Sequence, residues 1–188
     1  MWAQDAPYLG KGTSEVNAFA GISYGLDAVR GSFGGNYAYS VNKYLMPYGE
    51  VSYFPGINRD LRIPIGGTTD VATARQAIPF IDYHGGVHLR RPIPGSNWVP
   101  YLVIGAGAVT ARSRLVPVNV PIGGGQVVRR DVTVEGETAF AVNGGGGLRY
   151  YFKENVGFRL EAKIYKPTGT YSDPFFKAVF GLFFYIKK

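Results

Sequence analysis

Apolar and polar residues alternate with a period of two along most of the chain, and helical periodicity is nearly absent. Alternation between turn signals predicts strands whose two faces meet different surroundings. Eight segments carry it. Residues 14–24 set Val16, Ala18, Ala20, Ile22 and Tyr24 against Glu15, Asn17, Phe19, Gly21 and Ser23. Residues 31–41 set Phe33, Gly35, Tyr37, Tyr39 and Val41 against Ser32, Gly34, Asn36, Ala38 and Ser40. Residues 45–54 alternate Leu45, Pro47, Gly49, Val51 and Tyr53 with Met46, Tyr48, Glu50, Ser52 and Phe54. The clearest segment is 77–90, with Ile81, Tyr83, Val87 and Leu89 on one face and Asp82, His84, His88 and Arg90 on the other. Residues 98–112 are so apolar that their facing is ambiguous. Residues 138–152 oppose Phe140, Val142, Leu148, Tyr150 and Phe152 to Asn143, Arg149 and Tyr151. Residues 156–165 oppose Val156, Phe158, Leu160, Ala162 and Ile164 to Arg159, Glu161, Lys163 and Tyr165. Residues 175–186 oppose Phe176, Ala178, Phe180, Leu182, Phe184 and Ile186 to Lys177, Gly181 and Tyr185.

The connections alternate in length. Those at 42–44, 94–97 and 153–155 are short, those at 55–76 and 113–137 are long, 166–174 is medium and 25–30 intermediate. Short turns at one end and long loops at the other, on an even number of strands, mark an outer-membrane barrel. The expected fold is therefore all-β: an eight-stranded antiparallel up-and-down transmembrane β-barrel over residues 14–186, with an N-terminal tail at 1–13. Both termini then fall on the short-turn, periplasmic side.

Facing separates a membrane barrel from a soluble one. A soluble lipocalin-like barrel turns its apolar faces inward to bind a small ligand. A membrane barrel turns them to lipid and keeps a polar interior. The polar faces carry Glu50, Asp82, His84, His88, Arg159, Glu161 and Lys163, charges of both signs that can pair when enclosed. They are the candidate lumenal network. The soluble barrel, with these charges outside, remains the alternative.

Composition narrows the class. The chain has 188 residues, 46% hydrophobic, which excludes disorder and suits one domain. It contains 27 Gly and no Cys, so no disulfide framework, thiolate metal site or Cys nucleophile exists. Gly144–Gly147, Gly105 and Gly107 fall inside two strands, where glycine permits sharp coiling and close approach of bulky neighbours. The aromatic residues are expected largely on the outer face and near strand ends, as an interfacial girdle. The net charge of +7 is spread over separate loops with no dense basic run, which disfavours nucleic acid. Arg59, Arg62, Arg75, Arg114, Arg129 and Arg130 lie in the long loops and are candidates for contact with lipopolysaccharide phosphates. No run of 18 apolar residues exists for a membrane helix, but barrel strands do not need one. Trp2-Ala3-Gln4 reads as the stub of a removed signal peptide.

Three stretches carry a more specific likeness. "WVPYLVIGAGAV", "GGGGLRYYFKENVGFRLEAKIY" and "FKAVFGLFFYI" resemble the small outer-membrane β-barrel family of Gram-negative bacteria, the OmpA-like and OmpX-like barrels. The resemblance implies residence in the outer membrane, a periplasmic N-terminus, insertion by the barrel-assembly machinery, outer-membrane lipids as surroundings and no cofactor. It leaves a protein partner open. Members of that family commonly end on an aromatic assembly signal. Gly181, Phe184 and Ile186 fill such a pattern, and Lys187-Lys188 depart from it.

Catalytic motifs are weak. Gly21–Gly25 matches G-x-S-x-G, but no helix pattern follows it; Ser40–Lys43 matches S-x-x-K without the companion motifs. His84 and His88 on a strand lie roughly 13 Å apart at about 3.3 Å per residue, too far to share a metal. No metal or catalytic residue is assigned. The alternative from another class is a lipid A-modifying enzyme on the His84/His88 face. There a histidine would act as base, Glu50 or Asp82 would orient it, and Ser52 would be the nucleophile. The leading expectation is a non-catalytic barrel with a structural or surface-interaction role and a lumen filled by side chains.

Overall fold

The computed structural model describes residues 9–25, 28–64, 71–122, 126–153, 155–168 and 173–186. Trp2-Ala3-Gln4 and Lys187-Lys188 lie outside them. Ten strands follow in chain order: β1 (Ser14–Gly25), β2 (Ala28–Tyr39), β3 (Leu45–Pro64), β4 (Val71–Arg90), β5 (Trp98–Ala111), β6 (Arg114–Ile122), β7 (Gln126–Val134), β8 (Glu137–Lys153), β9 (Val156–Pro167) and β10 (Phe175–Ile186). Eight of them close a barrel in the order β1-β10-β9-β8-β5-β4-β3-β2, and β6 pairs only with β7. Every pairing is antiparallel, and β1 closes the wall by pairing with both β2 and β10.

Two long connections are not loops. β3 and β4 run on past the barrel wall, pairing Ile57–Pro64 with Val71–Ile78 after an irregularity between Phe54 and Ile57. Eight further pairs reach roughly 26 Å at about 3.3 Å per residue. Between β5 and β8 the chain folds into the β6–β7 hairpin, with β6 beside β4. These segments carry Pro, Asn and charged residues that read as loop signals in the sequence. Pro117 and Pro121 fit because β6 has one unpaired edge. The first connection is also shorter than its sequence suggests. Gly25 already pairs with Ala28, and its positive φ of 118° is a conformation that glycine adopts readily.

Wall strands alternate strictly between inside and outside. β10 reads buried at Phe175, Lys177, Val179, Gly181, Phe183 and Tyr185, with Phe176, Phe180, Leu182, Phe184 and Ile186 exposed. The facing of β5 is now settled: Val99, Tyr101, Val103, Val109 and Ala111 are buried, while Leu102 and Ile104 are each 62% exposed. The outside is a belt of Val, Ile, Leu, Phe and Tyr running round all eight wall strands.

Aromatic residues are not confined to that belt. Among the described residues, ten Phe and Tyr rings are buried: Phe19, Tyr48, Phe54, Phe80, Tyr101, Tyr151, Tyr165, Phe175, Phe183 and Tyr185. Four of them face glycine across the ladder. Phe19 pairs with Gly34 and Gly181, Tyr48 with Gly86, Tyr101 with Gly147 and Phe183 with Gly157. A Cβ on Gly147 would collide with the Tyr101 ring, and one on Gly157 with the Phe183 ring. Each inward ring thus lies flat over a bare stretch of the neighbouring strand. The glycine excess serves these contacts on several strands, and not only in β5 and β8. Gly147→Ala should therefore cost about 1–3 kcal/mol from overpacking. Gly144→Ala, whose Cβ would meet only the Val103 carbonyl at 3.9 Å, should be neutral within about 0.5 kcal/mol. Urea unfolding of the two variants compares them directly.

Candidate functional site: the charged lumen

Two apolar plates bound the interior. At the end that bears the long hairpins, Phe54 stacks on Phe80 with centroids 4.4 Å apart, and Tyr165 stacks on Phe175 at 4.6 Å. Val109, Ala111 and Ala141 complete this plate. At the end that bears the termini and tight turns, Leu9, Val99, Tyr151, Phe183 and Tyr185 form the other. Leu9 belongs to the segment before β1, so that segment turns into the barrel mouth; Gly12 N–H donating to the Ser40 carbonyl (2.9 Å) holds it there.

Between the plates lies a continuous ion-pair network. Glu50 of β3 is its hub. Its Oε1 accepts hydrogen bonds from Lys163 Nζ of β9 and Lys177 Nζ of β10, both at 2.7 Å, and its Oε2 accepts from Arg159 at 3.2 Å. Glu161 accepts from the Tyr101 hydroxyl at 2.7 Å and pairs with Lys163 (3.0 Å) and Arg159 (3.4 Å). Arg159 also faces the Asn36 carboxamide, whose oxygen accepts from it when the amide is turned to the orientation that satisfies both groups. Towards the hairpin end, Lys177 donates to Ser52 Oγ at 2.7 Å and lies 3.5 Å from Asp82, which contacts His84. Towards the terminal end, Arg149 donates to Glu15 and meets His88 Nδ1 at 2.9 Å. Arginine only donates, so Nδ1 accepts and the imidazole proton sits on Nε2, which is 3.5 Å from Glu161. Arg90 ends the series by donating to the Asn42 carbonyl at 2.6 Å.

The ion-paired side chains of this network have no solvent exposure. Carboxylates withdrawn from water at this depth are tolerable only with several donors each, which Glu50 and Glu161 have. Alternation makes this possible: inward positions recur every second residue, so Arg159, Glu161, Lys163 and Tyr165 enter from one strand as a column.

The structure brings Glu50, Asp82, His84, His88, Arg159, Glu161 and Lys163 together inside the barrel. It adds Glu15, Arg149 and Lys177, each the single charge on the inward face of its strand in that region. Such isolated charges give no cluster signal in the sequence, although their faces were readable. The basic loop residues are spread apart instead. Arg59 and Arg62 lie on β3 beyond the wall, Arg75 on β4, Arg114 on β6, and Arg129 and Arg130 on β7. Arg129 is exposed, and the side-chain surroundings of the other five lie outside the description.

The candidate catalytic groups do not assemble as a triad. Ser52 Oγ contacts Lys177, an ammonium held by two carboxylates, and neither histidine. His84 and His88 occupy different levels of the lumen, against Tyr165 and Tyr48 respectively. Ser23 of the G-x-S-x-G match lies within β1, not at a strand-to-helix turn. Among the described residues, no three His, Asp or Glu side chains are placed to hold a metal ion.

A closed, eight-stranded, up-and-down antiparallel wall, charged within and apolar without, defines a class: this is the fold of the small outer-membrane barrels. Particular solved structures share it along nearly their whole length. Neisserial surface protein A (NspA) matches with a TM-score of 0.60 at 12% identity, covering 92% of this chain and 95% of that one. Ail of Yersinia pestis, in complex with the heparin analogue sucrose octasulfate, matches at 0.52 and 17%, covering 94% and 99%. The N-terminal β-barrel domain of Pseudomonas aeruginosa OprF matches at 0.51 and 16%, also covering 94% and 99%. At such identities the likeness is one of fold. By sequence, no family model and no curated protein matches the chain.

Proposed function

We propose that the chain is an outer-membrane β-barrel that spans the bilayer with residues 14–186 and has a structural or surface-interaction role without catalysis. The observation that carries this reading is the inverted polarity of the wall. Among the described residues, six cations and four carboxylates are buried inside, while Leu102, Ile104, Phe140, Leu160, Ile164 and Phe180 stand outside at 47–62% exposure. In water that exterior would be a contiguous apolar patch far larger than soluble monomers carry. In lipid it needs no cover.

Two further features support the reading. Eight of the interior charges, Glu15, Glu50, Asp82, Glu161, Arg149, Arg159, Lys163 and Lys177, are ion-paired with one another between the aromatic plates, which fits a lumen filled by side chains and no wide pore. Two hairpins extend the wall at one end, and they carry Arg59, Arg62, Arg75, Arg114, Arg129 and Arg130. On this reading that end faces outward, where lipopolysaccharide phosphates or a polyanionic partner surface meet it, and the termini face the periplasm. The Ail structure was solved with a polysulfated ligand, and these arginines have the charge such a ligand requires. Assembly would fall to the barrel-assembly machinery.

The test is the state of the purified protein. It should require detergent and migrate differently in gels with and without boiling. Release into buffer as a soluble monomer would overturn the proposal in favour of a lipocalin-like barrel. Conductance in planar bilayers should stay at the baseline of a filled barrel. For the enzymatic alternative, His84→Ala with His88→Ala should leave the lipid A mass profile of expressing cells unchanged. A profile altered by the native chain and restored by the variant would establish catalysis.

A further inference from the structure

The end of the barrel that bears the termini carries a second polar feature, separate from the lumen. The turn between β2 and β3 and the turn between β4 and β5 enclose a cavity of about 270 Å³, lined by Lys43, Tyr44, Arg91, Pro92 and Pro94. Its two charged residues are both cations. Among the described residues neither forms an ion pair, and no carboxylate lines the cavity. Lys43 Nζ sits over the Tyr44 ring, 5.1 Å from its centroid, which holds the ammonium without neutralising it.

Both turns are fixed by hydrogen bonds. Asn42 Oδ1 accepts from the Tyr44 and Leu45 amides, each at 2.8 Å, which shapes the turn around Lys43. The buried Arg90 guanidinium holds the Asn42 carbonyl, and its own amide donates to the Tyr44 carbonyl at 2.7 Å. The Arg91 amide donates to the Pro100 carbonyl at 2.8 Å. The two cations therefore stand on backbone that needs no ordering when an anion arrives. Outward-facing Val41, Tyr44, Leu89 and Ile93 adjoin the site at 37–53% exposure, continuing the apolar belt to its lower rim.

We propose that this cavity binds the phosphodiester of a phospholipid headgroup in the leaflet at the terminal end, with Lys43 and Arg91 pairing the phosphate and the acyl chains running up the belt beside Tyr44. The inference rests on the membrane reading above. A volume below the roughly 300 Å³ at which drug-sized sites begin suits a headgroup and not a larger ligand. Two unneutralised cations favour an anion, and Arg supplies the planar fork that phosphate accepts. The adjoining apolar residues distinguish a lipid from a free ion.

Short-chain phosphatidylglycerol is titrated into the full chain in maltoside micelles, with inorganic phosphate and diacylglycerol of equal chain length as comparisons. Phosphatidylglycerol should bind and shift the amide resonances of Tyr44 and Arg91. Lys43→Gln with Arg91→Gln should weaken it about thirtyfold, at about 1 kcal/mol for each of the two basic residues near the surface. Diacylglycerol should not shift those amides. Equal affinity in the native and doubly substituted barrels, or unshifted amides in the native one, would overturn the proposal. Binding of inorganic phosphate as tight as that of the lipid would overturn the lipid assignment. The amide shifts need no variant, so they decide the matter even where the double substitution impairs folding. A detergent-dependent barrel indifferent to phosphatidylglycerol refutes this inference alone, whereas a barrel stable without detergent refutes the membrane reading first.

Discussion

Glu50→Gln should destabilise the folded barrel by about 3–5 kcal/mol, the usual cost of removing one partner from a buried charge cluster. The substitution keeps the shape of the side chain and deletes only its charge. It strands Lys163, Lys177 and Arg159, all of which Glu50 holds within 3.2 Å. Glu161 can still serve Lys163 and Arg159, but Lys177 keeps only Asp82 at 3.5 Å and a neutral hydroxyl. Adding Lys177→Met to Glu50→Gln should therefore recover at least about 1 kcal/mol, a coupling that a double-mutant cycle isolates. Glu135→Gln, on the exposed connection before β8, should change stability by less than about 0.5 kcal/mol. Urea unfolding monitored by Trp fluorescence measures Glu50→Gln, Lys177→Met, their combination and Glu135→Gln. A loss below about 1 kcal/mol for Glu50→Gln would mean that the lumen admits enough water to solvate its cations.

The second large effect lies on the other face. Ile104 is central in β5 and 62% exposed. On a soluble protein, Ile104→Arg would be a surface change worth less than about 0.5 kcal/mol. At the midplane of a bilayer it should cost about 2–4 kcal/mol. Leu115→Arg makes a control of the same chemistry, because Leu115 is equally exposed at 63% but stands on the β6–β7 hairpin, away from the belt. Unfolded from lipid vesicles, the two variants should differ, with a large loss at Ile104 and almost none at Leu115.

Much of this architecture was written in the alternation. β4 shows why: every second residue from Asp82 to Arg90 is polar or glycine, so facing and register follow from the pattern alone. β10 starts and ends where its alternation does. β5 defeated the same reasoning because its inward Val99, Val103 and Val109 are as apolar as its outward Leu102 and Ile104. The interior there is apolar because Val99 and Val109 enter the two end plates and Val103 packs with Met46, Tyr48 and Tyr101, a tertiary fact no local pattern carries. The two projecting hairpins escaped for the opposite reason. Their paired segments lie outside the closed wall, and the backbone pairing that joins them leaves little trace in side-chain polarity. The charged site was half legible. Its dense stretches, 82–90 and 159–163, stood out as mixed charges on one face. Glu15, Arg149 and Lys177 come singly from β1, β8 and β10, and only closure of the barrel brings Arg149 to Glu15 and His88 and Lys177 to Glu50.

The central claim is that the apolar face meets lipid, and the absence of cysteine makes it directly measurable. A nitroxide attached at Ile104→Cys in a reconstituted bilayer reports its surroundings through collisions with molecular oxygen, which concentrates in lipid, and with a nickel chelate, which stays in water. Position 104 should show high oxygen and negligible nickel accessibility. Strong nickel accessibility there, in a barrel that keeps its heat-sensitive gel migration, would contradict it.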